Sequence, residues 1–155
     1  MTMKHLLLVH HSQTGSTAAL AQAVLDGARS PDIEGVELRV ASPLSADAAD
    51  LAWADAVILG TPENFGYMSG ALKYFFDRIY YPCLEHTQGL PYALFIKAGN
   101  DGAGALASVR RIVTGLRWRE VQAPLVIAGE VDEQALAACR ELGMALAAGL
   151  EAGLF

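Results

Sequence analysis

The sequence predicts an α/β fold built on a five-stranded parallel sheet. Short apolar segments, typical of buried strands, alternate along the chain with longer segments whose apolar residues recur at helical spacing. Strict alternation of this kind implies right-handed crossovers and therefore parallel strands. The predicted strands are residues 4–10, 36–40, 56–60, 93–96 and 121–128.

The composition of these strands predicts their order in the sheet. The first, third and fourth strands are continuously apolar, which is typical of strands covered on both faces. The second carries Glu37 and Arg39 in strict alternation, and the fifth contains Pro124, which cannot donate to a ladder, so both suit edges. Two edge strands around three inner ones give the order 2-1-3-4-5, whose ligand crevice lies at the carboxyl ends of strands one and three.

Periodic segments between the strands predict the helices. Leu20, Val24 and Ala28 share one helical face, and Asp132 is suited to cap the last helix. The predicted helices begin near residue 18, include residues 72–79, run from about 103 to 116 and follow residue 132, with a short helical or irregular link over 47–53.

The six residues after the first strand predict an anion site. The segment reads Ser12, Gln13, Thr14, Gly15, Ser16 and Thr17. The first amides of a helix lack intrahelical partners and carry the positive end of its dipole, Gly15 lets the backbone close, and the hydroxyls add donors. Since the segment contains no Lys or Arg, we expect neutral donors to hold a phosphate. The alternative is an ordinary N-cap.

Two further loops are predicted at the same edge of the sheet. The loop after the third strand comprises Thr61, Pro62, Glu63, Asn64, Phe65, Gly66, Tyr67 and Met68. A flat ring could pack on its large aromatics, Phe65 and Tyr67; the alternative is a turn shaped by proline and glycine. The loop after the fourth strand contains Gly99, Asn100 and Asp101, which could close over the same ligand or form a simple turn.

Composition limits the classes of function. The 155 residues predict a single domain, residues 1–155, and no apolar run approaches the roughly 20 residues of a membrane span. The apolar run near the N-terminus is too short for a signal peptide, so we expect a cytoplasmic protein. A net charge of −6 argues against a nucleic-acid partner and is compatible with a basic one.

Other classes of protein with this fold depend on residues that the sequence lacks. The first loop has neither the Cys and Arg of a low-molecular-weight phosphatase nor a Walker lysine, and no phosphorylatable Asp ends the third strand. We predict no metal site, because His10 and His11 are adjacent and point to opposite faces of a strand. Cys83 has no neighbouring base in the sequence, which favours a passive thiol.

The first two loops together resemble a known group of proteins. Ser12-x-Thr14-Gly15-x-Thr17 resembles the FMN-phosphate loop of flavodoxin-like proteins. Gly60-Thr61-Pro62, Phe65-Gly66 and Met68-Ser69-Gly70 are similar to the flavin-ring loop of NAD(P)H-dependent FMN reductases and of tryptophan-repressor-binding-protein-type quinone reductases. The resemblance implies a flavodoxin-like three-layer sandwich that binds FMN through residues 12–17 and 61–66, with residues 99–101 as further candidates.

The resemblance also implies a reaction. NAD(P)H would pass a hydride to flavin N5, and the electrons would go on to a quinone or similar small acceptor; no catalytic side chain is implied. The alternative is a flavodoxin-type electron carrier that docks on redox partners, and a weaker one is a domain that has lost its flavin. Tyr67, Tyr74 and Tyr81 recur every seven residues, so a second subunit could cover them, as in related dimeric reductases.

Overall fold

A computed structural model describes residues 2–12 and 15–155. Its strands are β1 (Lys4–His10), β2 (Val36–Ala41), β3 (Ala56–Asn64), β4 (Tyr67–Met68), β5 (Pro91–Ala98), β6 (Arg119–Glu120) and β7 (Leu125–Ala128). Its helices are α1 (Ser16–Ala28), α2 (Ala48–Trp53), α3 (Gly70–Cys83), α4 (Ala103–Gly115) and α5 (Glu133–Glu151). Within the described ranges, no helix combines the length and apolar composition that crossing a membrane requires.

The strand order confirms the prediction. The sheet runs β2-β1-β3-β5, and β6 and β7 both pair with the outer side of β5. All of these pairings are parallel, whereas β4 pairs with β3 in antiparallel orientation. The predicted strands one to five therefore correspond to β1, β2, β3, β5 and the β6–β7 pair, in the order 2-1-3-4-5.

The outermost strand differs from the prediction of one strand over residues 121–128. β6 pairs with Pro91 and Tyr92 at one end of β5, and β7 pairs with residues 95–98 at the other end. Residues 121–124 between them belong to no strand. Pro124, which has no amide hydrogen to donate, lies in this interruption.

The predicted loop over residues 61–68 is a hairpin. β3 continues to Asn64, with Thr61 and Pro62 still paired to β5, and then turns back into β4. The prediction of a loop here was wrong, because β3 does not end at Gly60 and Pro62 is accommodated within it. β1 ends opposite Gly60, so Pro62 lies beyond the partner on that side and its missing amide hydrogen costs no ladder bond.

Each face of the sheet packs a separate core. Leu6, Leu8 and Ile58 pack beneath α1 and α5 on one face, and alternate residues such as Leu7 and Leu59 face α3 and α4. α1 and α5 approach closely through glycines: a side chain at position 27 or 143 would overlap the backbone of the opposite helix. This packing fixes where the N-terminus of α1 meets the sheet.

Candidate functional site

The three predicted loops lie at the carboxyl edge of β1, β3 and β5. The backbone amide of His11, just after β1, donates to the carbonyl of Gly60 in β3 at 3.3 Å. The β3–β4 hairpin tip contacts α4, whose N-terminus follows the third loop. The structure therefore brings the described parts of the three loops to one edge, and the predicted residues Gln13 and Thr14 lie outside the described residues.

Gly15 is the N-cap residue of α1 and has a φ of +91° in the left-handed region. The Gly15 amide donates to Oγ of Ser12 at 2.9 Å, so this hydroxyl closes the turn before the helix. Thr17 is buried in the first turn. No side chain of the described residues accepts a hydrogen bond from the first amides of α1. These amides are thus available to an anionic ligand.

The other four helices begin with amides bound by side chains. The acceptors are Asp47 for α2, Ser69 for α3, Asp101 and Glu63 for α4, and Asp132 for α5. At α4 two carboxylates are involved, because Asp101 accepts from the Ala103 amide and Glu63 from the Ala105 amide, both at 3.0 Å. An anion at α4 would meet these carboxylates, so charge favours α1 for a phosphate.

Side chains of the hairpin are bonded within the protein. Glu63 reaches α4 as described, and the Met68 amide donates to Oγ of Ser108 at 3.2 Å. The Thr61 side chain is fully buried: Oγ1 accepts from the Ser69 amide at 2.9 Å and donates to the carbonyl of Pro62 at 2.8 Å. We therefore expect Thr61 and Glu63 to contact a ligand through their backbone, and the hairpin to be held rigidly.

The tip of the hairpin is a strained turn with an exposed aromatic ring. Phe65 and Gly66 form a two-residue loop between the paired residues Asn64 and Tyr67. Both have positive φ, +54° and +69°, which is the requirement of a type I′ turn. Phe65 is fully exposed and occupies a conformation that L-residues avoid. Strained residues of this kind cluster at ligand-binding sites.

Part of the third loop already makes contacts within the protein. Asp101 caps α4, and Gly102 has a φ of +70° with Val126 so close that a Cβ would lie 2.7 Å from its Cγ1. Gly99 and Asn100 are exposed. A contact between this loop and a ligand stays a prediction.

A crevice of about 920 Å³ opens beside the N-terminus of α1. Its lining residues are Gly15, Ser16, Ala19, Lys97, Gly129, Glu130, Val131 and Leu136. Lys97 comes from β5, and Glu130 comes from the connection between β7 and α5. Neither was named as a site residue from the sequence. Lys97 was predicted to begin the third loop, whereas the structure extends β5 to Ala98. The signal for Lys97 was a single charge at the end of an otherwise apolar strand.

Two histidines at the end of β1 carry unsatisfied polar atoms. Nδ1 of His10 and Nδ1 of His11 are buried without a hydrogen-bond partner in the described part of the chain. Burial, followed by the neighbouring His11, lowers the pKa of His10 below its ordinary value. Orphaned polar atoms, uncapped amides and a crevice at one edge fit a polar, anionic group better than a closed structural cap.

The sequence comparison decides the family. A sequence model of the family described as NADPH-dependent FMN reductase matches residues 3–133. The chain belongs to the NADPH-dependent FMN reductase family. Membership of this family implies FMN as the cofactor and NAD(P)H as the electron donor, as the resemblance of the loops predicts.

Relatives of this FMN reductase family member include proteins of two descriptions. This chain is 30% identical over 161 residues to a flavodoxin of Aquifex aeolicus, and the match covers 94% of this chain and 86% of that protein. It is 33% identical over 97 residues to an NAD(P)H dehydrogenase (quinone) of Archaeoglobus fulgidus, covering 48% of this chain and 51% of that protein. The chain is thus similar both to a protein described as a flavodoxin and to one described as an NAD(P)H dehydrogenase (quinone).

Solved structures confirm the flavodoxin-like fold of this FMN reductase family member. An archaeal flavodoxin superposes with a TM-score of 0.81 at 23% identity, over 94% of this chain and 98% of that one. A WrbA-like flavodoxin from Agrobacterium tumefaciens gives 0.73 at 23% identity, over 94% and 96%.

The cysteines and the predicted tyrosine stripe follow the sequence reasoning in part. Cys83 and Cys139 are buried, and burial raises the pKa of both thiols, that of Cys139 to about 11, which disfavours reactive thiolates. Tyr67, Tyr74 and Tyr81 are all exposed rather than part of the core. A second subunit covering them stays a prediction.

Proposed function

We propose that the protein binds FMN at the carboxyl edge of the sheet and uses NAD(P)H to reduce a quinone or similar small acceptor. The observation that carries this proposal is the N-terminus of α1. Its first amides have no side-chain cap among the described residues, while side chains cap every other helix. A phosphate placed there completes the helix and is attracted by its dipole.

Each part of the edge has a role in holding the cofactor. The amides of Ser16 and Thr17 bind the phosphate, and the β3–β4 hairpin presents backbone groups to the flat ring. The hairpin is suited to this role because its contacts with α4 hold it in place before any ligand arrives. When bound, FMN supplies the chemistry, accepting a hydride at N5 from NAD(P)H and returning electrons to the acceptor.

Phe65 lies at the exposed tip of the β3–β4 hairpin. Its exposed ring can lie against the flavin or against the nicotinamide and acceptor that stack there in turn. The chain's contribution is therefore binding, orientation and exclusion of water. No side chain needs to move a proton for hydride transfer between the two rings.

The test uses the purified protein with its flavin. We expect denaturation to release FMN rather than FAD, because the site offers one phosphate position. Under anaerobic conditions NADH or NADPH should bleach the flavin absorbance, and adding a quinone should restore it with one quinone consumed per flavin. Release of FAD, or no uptake of FMN by apoprotein, would refute the proposed cofactor.

A second candidate is an electron carrier. It is favoured by the similarity to the Aquifex aeolicus flavodoxin over nearly the whole chain and by the exposed aromatics Phe65 and Tyr67, which a protein partner could cover. A carrier's flavin would be bleached by dithionite but by neither nicotinamide. That result would replace the reductase with the carrier while leaving FMN binding intact.

A further inference from the structure

Lys97 is a cation at the end of the inner strand β5. The other residues of this strand are buried, and Lys97 is half-buried between Pro62 of β3 and Ile127 of β7. Strand alternation places its side chain on the same face as Phe95, which packs beneath α1 and α5. The side chain therefore leaves the sheet toward the crevice beside the start of α1, which it lines together with Gly15.

The ammonium group of Lys97 has little compensation within the protein. Nζ donates to the carbonyl of Ala98 at 3.2 Å, and it forms no ion pair with a carboxylate of residues 2–12 or 15–155. Glu130 lines the same crevice without pairing with it. A partly desolvated cation without a counterion is unfavourable, and an anionic ligand in the crevice would relieve this.

We propose that Lys97 supplies the positive charge for the FMN phosphate, from the same crevice that Gly15 and Ser16 line. This inference rests on the proposed function. It replaces the expectation that neutral donors alone hold the phosphate, because that expectation considered only charges within residues 12–17. The volume of about 920 Å³ is in the range of pockets that hold a small ligand, and Lys97 lines this crevice together with Gly15 and Ser16.

The charge predicts a contribution to the selectivity for FMN over riboflavin, in addition to the contribution of the helix amides. FMN and riboflavin share the same ring and differ by the phosphate. If Lys97 binds the phosphate, its charge contributes to FMN affinity and leaves riboflavin affinity unchanged. A charge-assisted hydrogen bond corresponds to roughly a tenfold to hundredfold change in affinity.

The experiment compares Lys97→Met, which keeps the length of the stem, with the control Lys73→Met. Lys73 is a surface residue of α3 paired with Asp77. Dissociation constants for FMN and for riboflavin are measured on apoprotein by flavin-fluorescence titration, and circular dichroism checks the fold. We expect Lys97→Met to weaken FMN binding about tenfold to hundredfold and riboflavin binding less than about twofold. Lys73→Met should change neither, and Lys97→Arg should restore much of the FMN affinity.

Several results would overturn the assignment of Lys97. Equal weakening of FMN and riboflavin would place the side chain at the ring or give it a structural role, and unchanged FMN affinity would remove it from the site. If Lys97→Met does not fold, the same two dissociation constants are measured on Lys97→Gln. In the wild-type protein, added salt should weaken FMN binding more than riboflavin binding. Wild-type protein that binds neither flavin would refute the proposed function itself.

Discussion

Replacing Phe65 by Asn should stabilise the protein while weakening its ligand site. Phe65 has a φ of +54°, and an L-residue in the left-handed region pays roughly 1–2 kcal/mol. Asn tolerates this region better than other non-glycine residues, and Asn-Gly is the preferred pair for a type I′ turn, with Gly66 already in the second position. Because the Phe65 ring is fully exposed, its removal forfeits almost no buried apolar area.

The net effect should be a gain of about 1 kcal/mol in the free energy of unfolding of the apoprotein. For a chain of this length that corresponds to a rise in Tm of about 2–4 °C. The assay is urea and thermal denaturation of Phe65→Asn beside Phe65→Ala. The alanine variant also removes the ring but keeps a residue that avoids positive φ, so it should show no gain.

Flavin titration of the same two variants tests the role of the ring. An aromatic contact contributes about 0.5–1.5 kcal/mol, so both variants should bind FMN roughly twofold to tenfold more weakly. If Phe65→Asn is no more stable than Phe65→Ala, the turn is not strained as argued. If both variants bind FMN like the wild type, the ring has no part in binding the cofactor.

Three other perturbations follow from the same geometry. Gly104→Ala should destabilise the protein by about 1–3 kcal/mol in urea unfolding, because its Cβ would overlap the carbonyl of Gly66. The control Gly70→Ala meets open space at the start of α3 and should be neutral or slightly stabilising. Equal effects of the two substitutions would contradict the close approach of the hairpin to α4. Gly15→Val should abolish FMN binding and leave the circular dichroism spectrum unchanged, because a β-branched residue resists a φ of +91°; retained affinity would mean that the phosphate binds elsewhere. The lowered pKa of His10 means that the unfolded chain takes up a proton near pH 6.5 while the folded protein does not, so the free energy of unfolding should fall as the pH drops below about 6.5. His10→Gln should reduce this pH dependence, measured by urea unfolding at pH 5 and pH 8. An identical pH dependence in the variant would rule out His10 as its source.

The strand order was predictable because burial on two faces and on one face leaves different patterns in the sequence. β1, β3 and β5 each contain a continuous apolar run, while β2 alternates, and these patterns do not depend on any single contact. The extension of β3 past Gly60 was not predictable in the same way. Whether Pro62 can belong to a strand depends on where the neighbouring strand β1 stops, which is a property of the assembled sheet.

The candidate site was predictable in position and less so in detail. The loops after β1, β3 and β5 follow from the topology, and their place at one edge does not require side-chain coordinates. The direction of Glu63 toward α4 depends on the packing of two elements that lie 42 residues apart in the chain. Lys97 was missed for the complementary reason: it was predicted to begin the third loop but belongs to β5, and only the sheet register and the start of α1 make its charge part of the crevice.

The break in the outermost strand gives the protein a place where its chain can grow. Residues 121–124 lie outside both ladders, and β6 and β7 each hold β5 independently. Gln122 and Ala123 are exposed between them. Extra residues inserted here would lengthen a surface connection at modest entropic cost, since loop closure depends only weakly on length. A reporter group or binding peptide could therefore be introduced at this edge without displacing the strands that carry the three loops.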